Sequence, residues 1–379
     1  MLAAVLCVAA LGHLVLGENP QVTTSYGTMK GQVLKSRDGR DFFSFTRIPY
    51  AKPPVGERRF MISEKADNWT GILDATKPIP SCYQINPWQP GSGQEDCLYL
   101  NIFTPKLTGK YPVIFSIHGG AFVAGSASGF KTAKYFMDED VVFVAPNYRV
   151  GTIGFLSFED KVIPGNFGLK DQALALEWNI VIRPTTAPVL ESADGPGAIL
   201  TSWPTAADHK YPWIIGVCQD EGLLFTGIYE YNRTSKEETD KFINTFNETM
   251  TSLLNLENKP KEFVKVWERF FTKGLEPLKA IRNFLTEYMF LNPTLVALNK
   301  HAGPTYFYNF NYTGGPQVFA GNDEAKGVGH GAELAYFYES SSEKPDWPKI
   351  ADIQLSKQLV KMWANFARNQ APSSQGMVQ

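Results

Sequence analysis

Residues 111–122 read YPVIFSIHGGAF, an apolar run that stops at His118 and is followed by Gly119, Gly120 and Ala121. The run from Tyr111 to Ile117 is short and nearly continuous in apolar character, which predicts a strand covered on both faces. The small residues after it let backbone N–H groups approach a ligand closely. A second run of this kind, Val141 to Ala145, ends at Pro146-Asn-Tyr-Arg149. After it, Leu169, Ala173 and Leu176 recur at helical spacing between Gly165 and Trp178. Strand, strand and crossover helix in that order predict an α/β fold with parallel strands.

Further along, Trp213 to Val217 and Tyr306 to Phe310 read as two more apolar strands. Helices are expected over 261–272 and 278–290. A last one, 352–369, carries Leu355, Leu359, Met362 or Trp363, and Phe366 on one face. The stretch 179–212 breaks this rhythm. It holds five prolines and no strand–turn–helix unit, an unusual length of irregular chain inside a compact domain.

The chain has 379 residues, 44% hydrophobic and 20% charged, with a formal net charge of −2. These values suit a folded globular protein and offer no basic face for nucleic acid. Residues 1–17 carry no charge and hold an apolar stretch from Leu2 to Leu11, followed by polar Glu18 and Asn19. This reads as a secretory signal peptide, so the protein is expected outside the cell. No later run reaches the roughly 20 apolar residues of a membrane span. Sequons at Asn68, Asn232, Asn247 and Asn311 fit export and glycosylation. Of the four cysteines, Cys7 lies in the signal segment. Cys82 and Cys97 bracket a short Pro-, Gly- and Ser-rich loop that an oxidising compartment can close, restricting the unfolded chain by roughly 3 kcal/mol. Cys218 stands in an apolar strand and is expected to be a buried thiol.

Glu221 follows the strand that begins at Trp213, in the sequence Gln219-Asp-Glu-Gly222. An acid at a strand's carboxyl end can orient an imidazole. Of five histidines, His330 alone has glycine on both sides and an acid three residues on. A neutral imidazole near pH 7 is the usual proton acceptor from a hydroxyl.

Residues 95–105, EDCLYLNIFTP, match the second signature of the type-B carboxylesterases position by position. The segments beginning at Arg47, His118, Asn147, Gly165 and Gly327 share that likeness, which covers residues 25 to 180 and 205 to 370. The chain therefore resembles this family of α/β-hydrolases. Arg59-Phe60, Asp171-Gln172 and the Gly327-x-x-His-x-x-Glu333 motif point toward its insect juvenile-hormone-esterase-like or venom-carboxylesterase-like members. The resemblance implies an ester hydrolase that works through an acyl-enzyme, without a metal or cofactor. It assigns Glu221 as the acid, His330 as the base, Gly120 and Ala121 as oxyanion-hole donors, and Gly119 as the residue shaping their turn. It also implies a Cys82–Cys97 disulfide and two structural salt bridges, Arg47 with Glu95 and Arg149 with Asp171.

One part of the pattern is missing. The family's nucleophile sits in Gly-x-Ser-x-Gly on a strand-to-helix elbow, and no serine of this chain occupies that pattern. The nearest approach, Gly125-Ser-Ala-Ser-Gly129, has Ala127 at its centre. The reading is one incomplete α/β-hydrolase domain, 18–379, with a deletion junction near 179–205 that removes the elbow strand and the helix after it. The end of the chain is short by the same comparison. Such a chain is expected to be inactive on esters. The alternatives are a cholinesterase-like adhesion or recognition protein without catalysis, and a binder that holds a small hydrophobic ester without turnover.

Overall fold

The structure, a computed structural model, describes residues 19–86, 89–129, 133–158, 160–179, 210–253, 265, 268–270, 274–315, 327–339 and 350–372. The signal segment, the junction near 179–205 and most of the helix expected over 261–272 lie outside the described residues. Contacts divide the chain into two compact units. One is Met1–Ala206 with Phe337–Glu343 and Ser356–Gln379, and the other is Ala207–Tyr336 with Lys344–Leu355.

In the first unit a hairpin of β1 (Gln21–Thr24) and β2 (Gly27–Lys30) is joined by β5 (Ile72–Asp74). The larger sheet uses β3 (Gln32–Lys35), β4 (Asp41–Pro49), β8 (Tyr99–Thr104), β9 (Val113–Phe115) and β10 (Val142–Pro146), in the order β3-β4-β8-β10-β9. Every residue of β10 is buried, as its unbroken apolar run requires. The sheet is mixed, however, and not parallel throughout. β10 runs parallel to β9 and antiparallel to β8, and β4 is antiparallel to both β3 and β8. A two-stranded hairpin of β6 (Gln84–Asn86) and β7 (Gln89–Ser92) lies inside the loop closed by Cys82 and Cys97, which form the disulfide with Cα atoms 4.9 Å apart.

Two helices follow β10: α1 (Gly151–Phe155) and α2 (Phe167–Asn179). Their position is fixed by Arg149, at the end of β10, and Asp171 on α2, both almost wholly buried. The guanidinium donates to the carboxylate through Nε and Nη2, each at 2.7 Å, and the Arg149 backbone N–H adds a third bond at 3.0 Å. Ser63 donates its hydroxyl to Asp171 and accepts Nη2 of Arg149 at 2.9 Å, while Nη1 reaches the Met61 carbonyl at 2.9 Å. A fork of this kind satisfies both charges, which burial otherwise makes costly. Helix α2 can approach this closely because Gly168 is glycine: a Cβ there would stand 2.3 Å from the Arg149 carbonyl oxygen.

The second expected salt bridge is corrected. Glu95 pairs with Arg59 at 2.9 Å, not with Arg47. Arg47 sits at an irregularity in the β4–β8 register between Phe45 and Ile48, with φ at 57°. That left-handed backbone turns its side chain over the Tyr99 ring, 5.3 Å from the centroid, and its N–H to Asn101 Oδ1 at 3.1 Å.

The second unit begins with β11 (Trp213–Cys218), followed by α3 (Leu223–Glu230) and α4 (Lys236–Leu253). Helix α4 was not read from the sequence, although Ser235-Lys-Glu-Glu238 is a capping box. Ser235 Oγ accepts the Glu238 N–H at 3.2 Å, and Glu238 accepts the Ser235 N–H at 3.0 Å. Then come α5 (Pro277–Leu285), a π-helical turn over Thr286–Leu291, α6 (Asn292–Lys300) and β12 (Thr305–Phe310). The helix expected over 278–290 thus runs on past its predicted end. Pro293, without an N–H, cannot bond the carbonyl four residues back, and the wider turn precedes it. β11 and β12 pair in parallel, Trp213 opposite Thr305 through Cys218 opposite Phe310. Helices α4 and α5 share a core of Phe246, Met250, Ile281, Phe284 and Leu285. The last helix, α7, spans Ile350–Asn369. Its most buried residues are Asp352, Ser356, Val360, Met362 and Ala364, while Leu355, Leu359, Trp363 and Phe366 are half-buried. The stripe is shifted because short polar residues fill it: Asp352 accepts the Tyr312 hydroxyl at 2.9 Å, and Ser356 accepts Arg37 at 2.6 Å.

Replacing Asp171 with alanine should strip a fully buried guanidinium of its partner and cost roughly 3–5 kcal/mol. Denaturant titration of the first unit's transition reads this directly, and a loss under 1 kcal/mol would contradict it.

Candidate active site

Glu221 stands in the turn after β11 and is buried. Each of its oxygens is used. The Cys218 backbone N–H donates to Oε1 at 2.7 Å, and His330 Nδ1 donates to Oε2 at 2.6 Å. His330 lies in the loop before a 3₁₀ turn, Ala332–Tyr336. That loop is stitched to the acid's turn by the neighbouring residue: the Asp220 N–H donates to the Val328 carbonyl, and the Val328 N–H donates to Asp220 Oδ2, both at 2.9 Å. The π turn contributes from the other side. Thr286 Oγ1 accepts the Gly222 N–H at 2.9 Å, and the Phe290 ring lies 5.1 Å from the imidazole. Arg282, on α5, faces Asp220 at 3.5 Å and Glu230 at 2.9 Å, which neutralises these acids from below the turn.

Because Nδ1 donates to Glu221, the neutral imidazole carries its proton there and leaves Nε2 as the acceptor. Among the described residues Nε2 has no partner, and the side chain is half exposed. The hydrogen bond to Glu221 raises the pKa of His330 above its ordinary value, outweighing burial, and the charges of Glu221 and Glu333 act in the same direction. An imidazole held by an acid through one nitrogen and open at the other can take a proton from a hydroxyl or give one to a leaving group.

The second predicted group, Gly119, Gly120 and Ala121, lies in the first unit past the end of β9. All three residues are exposed, and their N–H groups have no acceptor among the described residues. The loop turns sharply: Val123 and Ala124 both donate to the Gly120 carbonyl at 3.0 Å, with φ at 123° for Gly120, 51° for Ala121 and 64° for Phe122. A side chain at residue 120 would meet the Ala124 carbonyl at 2.0 Å, so the turn admits only glycine there. Free N–H groups on a fixed turn can hold a developing oxyanion.

What fixes this loop was not read from the sequence. Gln84, in the disulfide-closed loop, clamps Gly125 from both sides: its Oε1 accepts the Gly125 N–H at 2.9 Å and its Nε2 donates to the Gly125 carbonyl at 3.0 Å. Asn147 accepts the Ala127 N–H at 2.8 Å and donates to the carbonyls of Pro80 and Cys97. His118, four-percent exposed, stacks on Tyr148 with centroids 4.3 Å apart, and the Tyr148 hydroxyl donates to its carbonyl at 3.0 Å. Burial lowers its pKa, so it stays a neutral, structural imidazole. Cys218 is the buried thiol expected. Asn68, Asn232 and Asn311 are exposed, and the side chain of Asn247 lies outside the described residues.

A mixed sheet that presents free N–H groups past one strand end, and a parallel strand pair that presents a carboxylate–imidazole couple past another, are features of an α/β-hydrolase. Juvenile hormone esterase from Manduca sexta, solved with OTFP covalently attached, shares the fold. Its TM-score is 0.79 at 21% identity, over 94% of this chain and 92% of that one. The chain belongs to the Carboxylesterase family, which it matches over residues 18–180 and 186–379. Among curated relatives, juvenile hormone esterase of Tribolium castaneum is 28% identical over 493 residues, covering 92% of this chain and 83% of its own length. Carboxylic ester hydrolase of Bombus ignitus is 44% identical and venom carboxylesterase-6 of Apis mellifera 43% identical. Each of these two matches spans 42% of this chain and 30% of the relative.

The raised pKa of His330 fixes a sign. Its charged form is favoured in the folded chain, so this contribution to stability is full below about pH 6.5 and fades as pH rises through the raised midpoint. Followed by NMR, the His330 titration should have its midpoint above that of a free imidazole, and Glu221→Gln should lower it. A midpoint that does not respond to Glu221→Gln would refute the pairing.

Proposed function

We propose that this chain is a secreted glycoprotein of the carboxylesterase family that keeps the acid–base pair and oxyanion loop of an ester hydrolase without its nucleophile, and so does not turn esters over. The observation that carries the reading is the hydrogen-bonded Glu221–His330 pair in a sequence with no Gly-x-Ser-x-Gly serine. Acyl transfer in this family runs through a serine oxygen. It attacks the ester carbonyl, its proton passes to the imidazole, and the imidazole then returns that proton to the departing alcohol. Glu221 and His330 supply the proton path, but no elbow hydroxyl supplies the electron pair.

Two further observations support an internal loss. The 493 residues aligned with the Tribolium relative exceed the 379 of this chain, so the alignment opens a long gap on this side. The family match is also interrupted between residues 180 and 186, inside the irregular stretch. Export is supported by the apolar leader, the disulfide and three exposed sequon asparagines, and no described helix is long and apolar enough to cross a membrane.

One feature favours a second reading, retention of a hydrophobic ester. The first unit holds an open pocket of about 590 Å³ bordered by Ala121 and lined chiefly by Ile85, Phe122, Val150, Ile153, Phe155 and Leu156. That volume and apolar lining suit a small ligand.

Incubation with p-nitrophenyl decanoate separates these outcomes. The chain should release nitrophenol no faster than its His330→Gln variant, because any residual assistance from the oxyanion loop does not pass through the imidazole. Intact ester co-eluting with the protein on gel filtration favours retention. Release that collapses in His330→Gln would overturn the proposal.

A further inference from the structure

The Glu221–His330 pair has a neighbour that the proton path does not use. Glu333, three residues after His330, is half-buried beside β11, and its Oε2 accepts the thiol proton of Cys218 at 2.9 Å. Cys218 thus makes two bonds to two acids: its backbone N–H to Glu221 at 2.7 Å and its Sγ–H to Glu333. Burial, reinforced by both carboxylates, pushes the thiol's pKa far up. Cys218 is one-percent exposed and its thiol stays a neutral donor, which removes it as a substitute nucleophile.

The geometry points to Cys218 as a positioning residue that ties a second carboxylate, Glu333, to the strand end carrying the Glu221–His330 pair. A buried residue at this place could as well be valine, which packs equally in an apolar strand. A valine would keep the N–H for Glu221 and lose the hold on Glu333. The thiol therefore does something that apolar packing alone does not require. Among the described residues, Glu221 bonds the imidazole from the turn after β11, the Phe290 ring stands 5.1 Å away on the π turn, and Glu333 on the 3₁₀ turn acts on it through charge alone. Tyr308 on β12 is held neutral by burial and then by Glu333, Cys218 and Glu221, and so belongs to the same cluster. Glu287, on the π turn, is committed to Arg269 at 2.7 Å. Glu221 sets the tautomer through a direct bond, and Glu333 adds its charge without one.

This rests on the reading of Glu221 and His330 as the retained acid–base pair. Its readout is the imidazole's own titration, which registers whether or not any ester is hydrolysed. NMR titration of His330 should show the midpoint falling in Glu333→Gln and in Cys218→Val, falling further in Glu221→Gln, and standing unchanged in Cys218→Ser, which restores a donor. Should Cys218→Val fail to fold, the half-exposed Glu333→Gln variant carries the test alone through a second measurement. The S–H stretch of Cys218 in the infrared should rise in frequency when its acceptor changes from carboxylate to amide. A His330 midpoint indifferent to Glu333→Gln, or an S–H stretch that does not move, overturns the proposal.

Discussion

A carboxylate buried as Glu221 is must have its lone pairs filled, because an unpaired buried charge costs several kcal/mol. Two groups fill them here, the Cys218 N–H and the His330 imidazole. That requirement shapes the unit around it. The turn after β11 has to bring Glu221 back toward its own strand, and the loop before the 3₁₀ turn has to present an imidazole within 2.6 Å. Asp220 and Val328 exchange two backbone-anchored bonds to hold turn and loop in register. The π turn then finds its reason in Thr286, whose hydroxyl meets the Gly222 N–H at the mouth of α3.

The first unit meets an analogous demand by different means. Its buried charges, Arg149 and Asp171, satisfy one another through a bidentate fork, and the remaining donors go to Met61 and Ser63. With β10 and α2 fixed that way, the segment after β9 is free to be irregular. Gln84 and Asn147 hold it in a conformation that leaves three exposed N–H groups without acceptors among the described residues. An oxyanion-binding role for this turn belongs to the proposed function. What a family member ordinarily adds is a serine oxygen, and the sequence holds none in the required setting.

Much of this could be read from the residues because its causes are local. Strands β10, β11 and β12 announce themselves as apolar runs between turns, and α2 as a helical spacing between Gly165 and Trp178. Glu221 and His330 were legible chiefly through the family resemblance, to which a strand end and a pair of flanking glycines lent support. Strand direction was not legible: an apolar run says that both faces are covered, not which way its neighbours run, and β8 proved antiparallel to β10. Partner choice was not legible either. Arg47 and Arg59 are equally plausible mates for Glu95, and the left-handed φ of Arg47 decided it. Glu333 closes the Gly327-x-x-His-x-x-Glu333 motif, yet its bond to Cys218 spans 115 positions and depends on strand pairing that no spacing rule reveals. The capping box at Ser235 and Glu238 was a readable signal that went unread.

The proposed function is chemical at its centre: a Glu221–His330 couple and a turn with exposed N–H groups, in a sequence with no Gly-x-Ser-x-Gly serine. Intact-mass analysis of the purified protein after saturation with a fluorophosphonate tests it most directly. This account predicts a mass unchanged by the reagent, with glycans trimmed beforehand. A stoichiometric gain of one phosphonyl group, mapped to a serine and lost in His330→Gln, would contradict it.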